Sequence, residues 1–382
     1  MTMSARWVFP VVTSCGFGNN FFALVRAHLI AESCALEYQT PLWPACTHVR
    51  TAPQLGYGLY FPPARHARWR WWFTRWHVAV KKRLGLALWP LLELTKEVSL
   101  KAKEFGIVDV GEAFYRYLAA RGLDHPERSL TVLVPPGNLS EYAEIRRGRS
   151  WLNDLLLQHA RTRSLVEKID AQTRGNFRVA LQVRMGDFVE RGNVTCDGVP
   201  TEPGKIVPGE RNVRLPLDWY IRIGLQLRDA GPVSFVLVTD GQIHELKPLI
   251  DVLQPIHIIG EPYQDLAGAL ILARSDLVVC SNSTYCRLAV FLNDRPYIWP
   301  ADTLYSDSSG DYGYLWRDGG RAVSAEDRDT EDEGVVRRCF ALPISFRKLP
   351  AGLLRYVRGG GRIPIESGND LIFREPVLKL RC

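Results

Sequence analysis

The chain has 382 residues, 46% of them hydrophobic and 23% charged, and carries a net charge of +7 from 48 basic and 41 acidic side chains. That length provides for two cores, and the balance excludes a disordered or fibrous protein. No run approaches the ~18 unbroken apolar residues of a transmembrane helix. The apolar stretch from Trp7 to Val12 is interrupted by Pro10 and too short for a leader's core, so a cytoplasmic location is expected.

In chain order, Arg6 to Thr13 reads as a strand, Gly16 to Asn20 as a Gly-rich turn, and Phe21 to Ser33 as a helix. Such a strand–turn–helix unit places ligands near a helix N-terminus in α/β folds.

The stretch from Ala64 to Leu94 comes next, and it concentrates the charge. Between Arg65 and Lys103 stand ten basic residues against Glu93 and Glu97, a local balance of +8 that leaves the remainder near −1. Trp69, Trp72, Phe73 and Trp76 fall at helical spacing on one face, with Arg68, Arg75 and Lys82 on another. Tryptophan beside lysine and arginine is the composition of a helix lying in a membrane interface. The same pattern fits tryptophans packed in a core beneath a solvated basic face, and basic–aromatic interleaving also occurs in nucleic-acid binders. The membrane reading is taken forward, with no nucleic acid expected.

Leu130 to Val134 reads as a strand stopped by Pro135, Pro136 and Gly137, and Ser150 to Ala171 as a single helix with a serine cap. From residue 176 the alternation is regular. Strands are expected at Phe177 to Val183, Ser234 to Thr239, Ile256 to Ile259, Leu277 to Cys280 and Tyr297 to Trp299. Helices are expected between them at Leu217 to Asp229, His244 to Leu253, Tyr263 to Ala273 and Thr284 to Leu292. Continuous apolar strands alternating with helices predict a parallel sheet covered on both faces. The expected organisation is an N-terminal domain over 1–175 with a basic aromatic insertion at 64–105, a second domain over 176–300, and a C-terminal extension over 301–382 packing back on the domains.

Ligands of such sheets bind beyond the carboxyl ends of the strands. There the sequence places Arg184 and Asp187, then Asp240, then Ser281, Asn282, Ser283 and Thr284. One cation, two acids and a hydroxyl cluster suit a phosphorylated ligand that also needs hydrogen bonds, although polar strand ends and helix caps occur in any α/β domain. The eight cysteines form no CxxC pair and have no histidine at zinc spacing, so free thiols and no metal site are expected. The acidic run from Glu326 to Glu333 reads as a solvated loop.

Taken in order, these pieces resemble a known group. Gly16-Phe-Gly18-Asn19-Asn-Phe-Phe resembles the GxGNQxF opening of bacterial α-1,2-fucosyltransferases, and the segment Val179 to Phe188 resembles their HVRRGDY stretch. Leu217-Asp-Trp-Tyr220 and Phe235 to Asp240 are similar to their LDYY helix and FSDD strand, and Asp276 to Asn293 to their NSSFSWWGAWLN block. Thr239-Asp240, Asp265 and Cys286-Arg287 also resemble the α-1,6-fucosyltransferase pattern.

The resemblance implies a GT-B fold of two Rossmann-like domains facing a central cleft, and an inverting, metal-independent transfer of fucose from GDP-fucose to a glycan or lipid-linked glycan. It implies that Arg184 binds the donor diphosphate with Ser283 and Thr284, and that Asp240 and Asn282 lie in the donor site. Asp265 would accept from guanine, and Gly16, Gly18 and Asn19 would line the first domain's wall. Asp187 and Glu190 are the candidates for a general base, against a purely structural or solvated role. Two departures stand out: Gln182 replaces the histidine before the arginine, and Met185 the second arginine. Another nucleotide sugar, or a glycan-binding protein on a retired transferase fold, are the competing readings.

Overall fold

The computed structural model describes residues 6–10, 17–39, 91–93, 109–128, 130–134, 145–185, 214–301, 323–324 and 339–363. The chain divides into two units, Met1–Arg163 and Ser164–Cys382.

The first unit holds a parallel sheet of four strands, β1 (Arg6–Pro10), β2 (Glu37–Tyr38), β3 (Leu91–Glu93) and β4 (Leu130–Val134), in the order β2-β1-β4-β3. Beyond Arg6 the residues of β1 and all five of β4 are buried, which explains sequences that are apolar but for Thr131. Helix α1 (Phe17–Cys34) crosses over from β1 to β2 and buries Phe21, Phe22, Leu24, Val25, Leu29 and Ile30. It begins earlier than Phe21, so Gly18 and Asn19 belong to its first turn and not to a preceding loop. Helix α2 (Val110–Ala119) starts at Asp109, whose carboxylate accepts from the N–H groups of Gly111 at 2.9 Å and Glu112 at 3.1 Å. The strand at Leu91–Glu93 lies at the end of the basic aromatic stretch, so those residues join the sheet and do not continue a helix. The tryptophans and cations from Arg65 to Arg83 lie outside the described residues.

The expected single helix over 150–171 is two, α3 (Arg149–Leu157) and α4 (Ala160–Gln172). The break has a cause in His159. Its imidazole accepts the Thr162 N–H at 3.3 Å and pairs with the Thr162 hydroxyl at 3.1 Å, which caps a new helix start.

The second unit carries a seven-stranded parallel sheet: β5 (Phe177–Val183), β6 (Val233–Thr239), β7 (Ile256–His257), β8 (Leu277–Val279), β9 (Tyr297–Pro300), β10 (Val323–Ser324) and β11 (Cys339–Leu342). Their order is β10-β11-β9-β8-β5-β6-β7. The crossovers are α5 (Leu217–Ala230), α6 (Lys247–Leu253), α7 (Gln264–Ala273) and α8 (Thr284–Leu292), and α9 (Ala351–Arg358) follows β11. Helix α6 starts later than His244, because residues 242–246 form a turn in which Glu245 accepts the Gln242 N–H at 2.8 Å.

Alternation along β5 sorts its two faces. Val179, Leu181, Val183 and Met185 enter the core with Trp219, Tyr220 and Ile223 of α5 and Leu353 and Tyr356 of α9. Ala180, Gln182 and Arg184 belong to the opposite face, where α7 and α8 pack. Residues 339–358 therefore supply both a strand and a covering helix to this unit. Arg222 of α5 ties them down by donating to the carbonyls of Ile344 at 2.6 Å and Phe346 at 2.8 Å.

Among the described residues, Cys34, Cys280, Cys286 and Cys339 are free thiols and buried. Burial pushes the Cys34 thiol up to about 12, so it stays protonated and inert. No helix among the described residues is long and apolar enough to cross a membrane.

Candidate functional site

Strand order reverses direction in the second sheet between β5 and β8, since β6 and β7 build outward on one side and β8 and β9 on the other. A crevice opens at the carboxyl ends of the strands at such a point. Arg184 follows β5 and the loop 280–283 follows β8, so both flank it.

Arg184 is held from the neighbouring strand. Val183 pairs with Thr239 in the parallel register, which puts Arg184 and Asp240 side by side one residue past each strand. Their side chains meet at 2.7 Å, and the other Asp240 oxygen accepts the Met185 N–H at 2.8 Å. One carboxylate thus orients both the guanidinium and the backbone that carries it. The close approach depends on Gly241, where a Cβ would lie 2.6 Å from the Met185 Cγ. Arg214 adds a second brace, donating to the Met185 carbonyl at 2.8 Å and pairing with Glu245 at 3.6 Å.

Across the switch point, Gln182 organises the loop after β8. Its amide oxygen accepts from the Ser281 hydroxyl, from Ser283 at 3.3 Å and from the Cys286 thiol at 3.2 Å. Ser283 is the N-cap of α8 and takes the Cys286 N–H at 3.2 Å. Its hydroxyl therefore faces a buried polar cluster and fixes the start of the helix, while Asn282 and Thr284 beside it are half-buried. The first-turn N–H groups and the positive end of the helix dipole then sit next to the Arg184 strand.

Asp265 lies in the first turn of α7, where its carboxylate accepts its neighbour Leu266's N–H at 2.9 Å. Tyr285 of α8 donates its hydroxyl to the Asp265 carbonyl. Burial raises the Tyr285 hydroxyl well above its ordinary value, with the charge of Asp265 adding to the shift and that of Arg184 opposing it. Tyr285 is therefore a neutral donor at any physiological pH, and it stands within reach of the charges gathered at the strand ends.

The structure thus brings Arg184, Asp240, Asp265, Asn282, Ser283 and Thr284 to one end of one sheet. Gly18 and Asn19 lie in the first unit, at the start of α1. Gly16, Asp187 and Glu190 are outside the described residues. Sequence reasoning treated Gln182 as a lost histidine and overlooked its role as the acceptor that gathers the serines. The signal was present, since a lone amide inside an otherwise apolar buried strand requires partners. Arg214 had no such signal. Among the described residues, no group of three or more His, Cys, Asp or Glu is placed to hold a metal ion.

No family model and no curated protein matches the chain. Solved structures do resemble it. POFUT1 in complex with GDP-fucose is 11% identical, with a TM-score of 0.40 over 78% of this chain and 98% of that one. Arabidopsis thaliana FUT1 with GDP is 12% identical, with a TM-score of 0.37 over 79% of this chain and 72% of that one. The Bradyrhizobium NodZ α-1,6-fucosyltransferase soaked with GDP-fucose is 14% identical, with a TM-score of 0.37 over 76% of this chain and 93% of that one. The chain is thus similar to fucosyltransferases solved with GDP or GDP-fucose.

Proposed function

We propose that the chain is an inverting glycosyltransferase that moves fucose from GDP-fucose to a hydroxyl of a glycan or lipid-linked glycan. The observation that carries this reading is the convergence of Arg184, held by Asp240 at 2.7 Å, and the capped start of α8 on the switch point of a parallel sheet. A guanidinium and a helix N-terminus together suit a diphosphate. They suit it best when the sugar leaves, because the departing nucleoside diphosphate gains charge that fixed donors stabilise without reorganising. Asp240 keeps Arg184 in position between turnovers. Asp265 is the acceptor for the guanine N–H groups, and Asp187 or Glu190 is the group that takes the acceptor's proton.

Transfer needs no metal in this reading, because Arg184 and the helix end supply the positive charge that a divalent cation supplies elsewhere. Activity should survive EDTA, and a strict requirement for Mg²⁺ or Mn²⁺ would overturn this part. The basic aromatic segment from Ala64 up to the start of β3 is the proposed contact with anionic lipid on the inner face of a membrane. Liposome co-sedimentation of the full chain should weaken with salt, since surface charge is screened over about 8 Å at physiological ionic strength.

The deciding experiment is a thermal-shift screen with GDP, UDP, dTDP and their sugars. A nucleotide at 100 times its Kd adds ~2.7 kcal/mol of stability. GDP and GDP-fucose should give the largest shifts, followed by release of GDP when acceptor is added. Preference for another nucleotide would point to a different donor, and binding without turnover to a glycan-binding protein.

A further inference from the structure

One side chain joins the two ends of the proposed donor site. Tyr285 is the second residue of α8, so its backbone belongs to the helix start that flanks Arg184. Its hydroxyl reaches the backbone carbonyl of Asp265, in the first turn of α7. The ring crosses between the helices over Gly268, where a Cβ would stand 2.6 Å from the Tyr285 oxygen and 2.7 Å from Cγ1 of Val238. Glycine at 268 is thus what lets the tyrosine lie against α7. The entry to α7 is otherwise tight: Tyr263 is left-handed at φ 67°, and the Gln264 amide accepts the Gly260 N–H at 2.8 Å. The Tyr285 hydrogen bond ties the first turn of α7 to the start of α8, while at the far end Asn293 of the α8 cap donates to the Leu272 carbonyl of α7 at 3.4 Å.

The geometry points to Tyr285 as a positioning residue for nucleotide choice. By fixing the first turn of α7 against the start of α8, it sets the span between the group that reads the base and the end that holds the phosphates, and with it the size of base the site accepts. This rests on the donor reading above and adds to it the element that measures the ligand. Tyr285 itself touches neither base nor phosphate in this account. Removing its hydroxyl loosens Asp265 while leaving the phosphate end intact.

The test measures binding of GDP, UDP and inorganic pyrophosphate to the full chain, to Tyr285→Phe and to Gly268→Ala, with melting curves for each. In Tyr285→Phe the loss of one hydrogen bond should weaken GDP about 3- to 10-fold. Pyrophosphate should stay within about twofold, so the GDP-to-UDP preference falls by nearly the whole GDP effect. Gly268→Ala displaces the ring from the other side and should shift the same ratio in the same direction. An unchanged ratio in folded Tyr285→Phe overturns the inference, as does an equal loss of GDP and pyrophosphate, which marks a merely structural contact. If Tyr285→Phe melts before it can be titrated, Gly268→Ala decides by the same ratio. If the unaltered chain binds UDP as tightly as GDP, the guanine reading itself fails, and the span argument with it. That outcome is read before any variant is made.

Discussion

Strand β5 has an arginine at each end, and the two are used in different ways. At the amino end, Arg178 pairs with Asp170 at 2.7 Å, donates to Thr173 at 2.8 Å, and has its backbone N–H taken by Asp276 at 2.9 Å. Arg274 reaches the same Asp170 at 3.3 Å, so the network knits α4, β5 and the β8 entry into one piece. At the carboxyl end, Arg184 meets Asp240 at the place where the loops diverge. The residues are chemically identical. The sheet's polarity decides which becomes mortar and which stands at the edge where such sheets bind ligands, because helix N-termini and diverging loops gather at the carboxyl edge.

Substitutions can break that contrast cleanly. Arg184→Ala should fold normally and lose on the order of 10²–10³-fold in turnover, since a preorganised donor to a developing charge is removed. Full activity in this variant would mean that the carboxyl edge is structural too. Asp265→Asn comes next in size. An amide presents a donor where guanine presents its own, so GDP affinity should fall by ~1–3 kcal/mol while UDP and pyrophosphate change little. A uniform loss across all three ligands would place Asp265 in the scaffold. The counterpart at the other edge is Arg178→Ala. It leaves Asp170 with Arg274 alone and removes the donor to the Thr173 hydroxyl, and should cost about 1–3 kcal/mol of stability in a denaturant melt. Transfer measured well below the melting temperature should be nearly untouched. If Arg178→Ala lowered turnover as much as Arg184→Ala, the two ends would no longer be distinguishable.

The carboxyl edge was legible before any coordinates. Phe177 to Val183, Thr284 to Leu292 and the positions of Arg184 and Asp240 just past their strands read correctly, because buried parallel strands leave continuous apolar runs and their ends leave polar residues. The amino edge was not. Arg178, Asp170 and Asp276 are ordinary charges in sequence, and only the register brings them together. The same holds for short strands such as β2 and β10, which carry too few residues to show a period. Local capping was also hidden: His159 splits a helix that apolar spacing alone would run through. Nothing in the sequence around Tyr285 singles out its hydroxyl, whose partner is supplied by α7 packed beside it.

The last strand and helix of the second unit also govern when that unit can exist. Phe340, Leu342, Leu353 and Tyr356 fill the same core as Val179 and Leu181, although more than 150 residues separate them in the chain. During synthesis the strands β5 to β9 emerge first and must wait with that core open, their edge beside β9 unpaired. Contacts of such long sequence separation form slowly, and exposed strand edges invite wrong partners. A ribosome stalled before residue 339 would therefore present an unfinished sheet to chaperones, and its carboxyl edge would be assembled only once β11 and α9 had emerged.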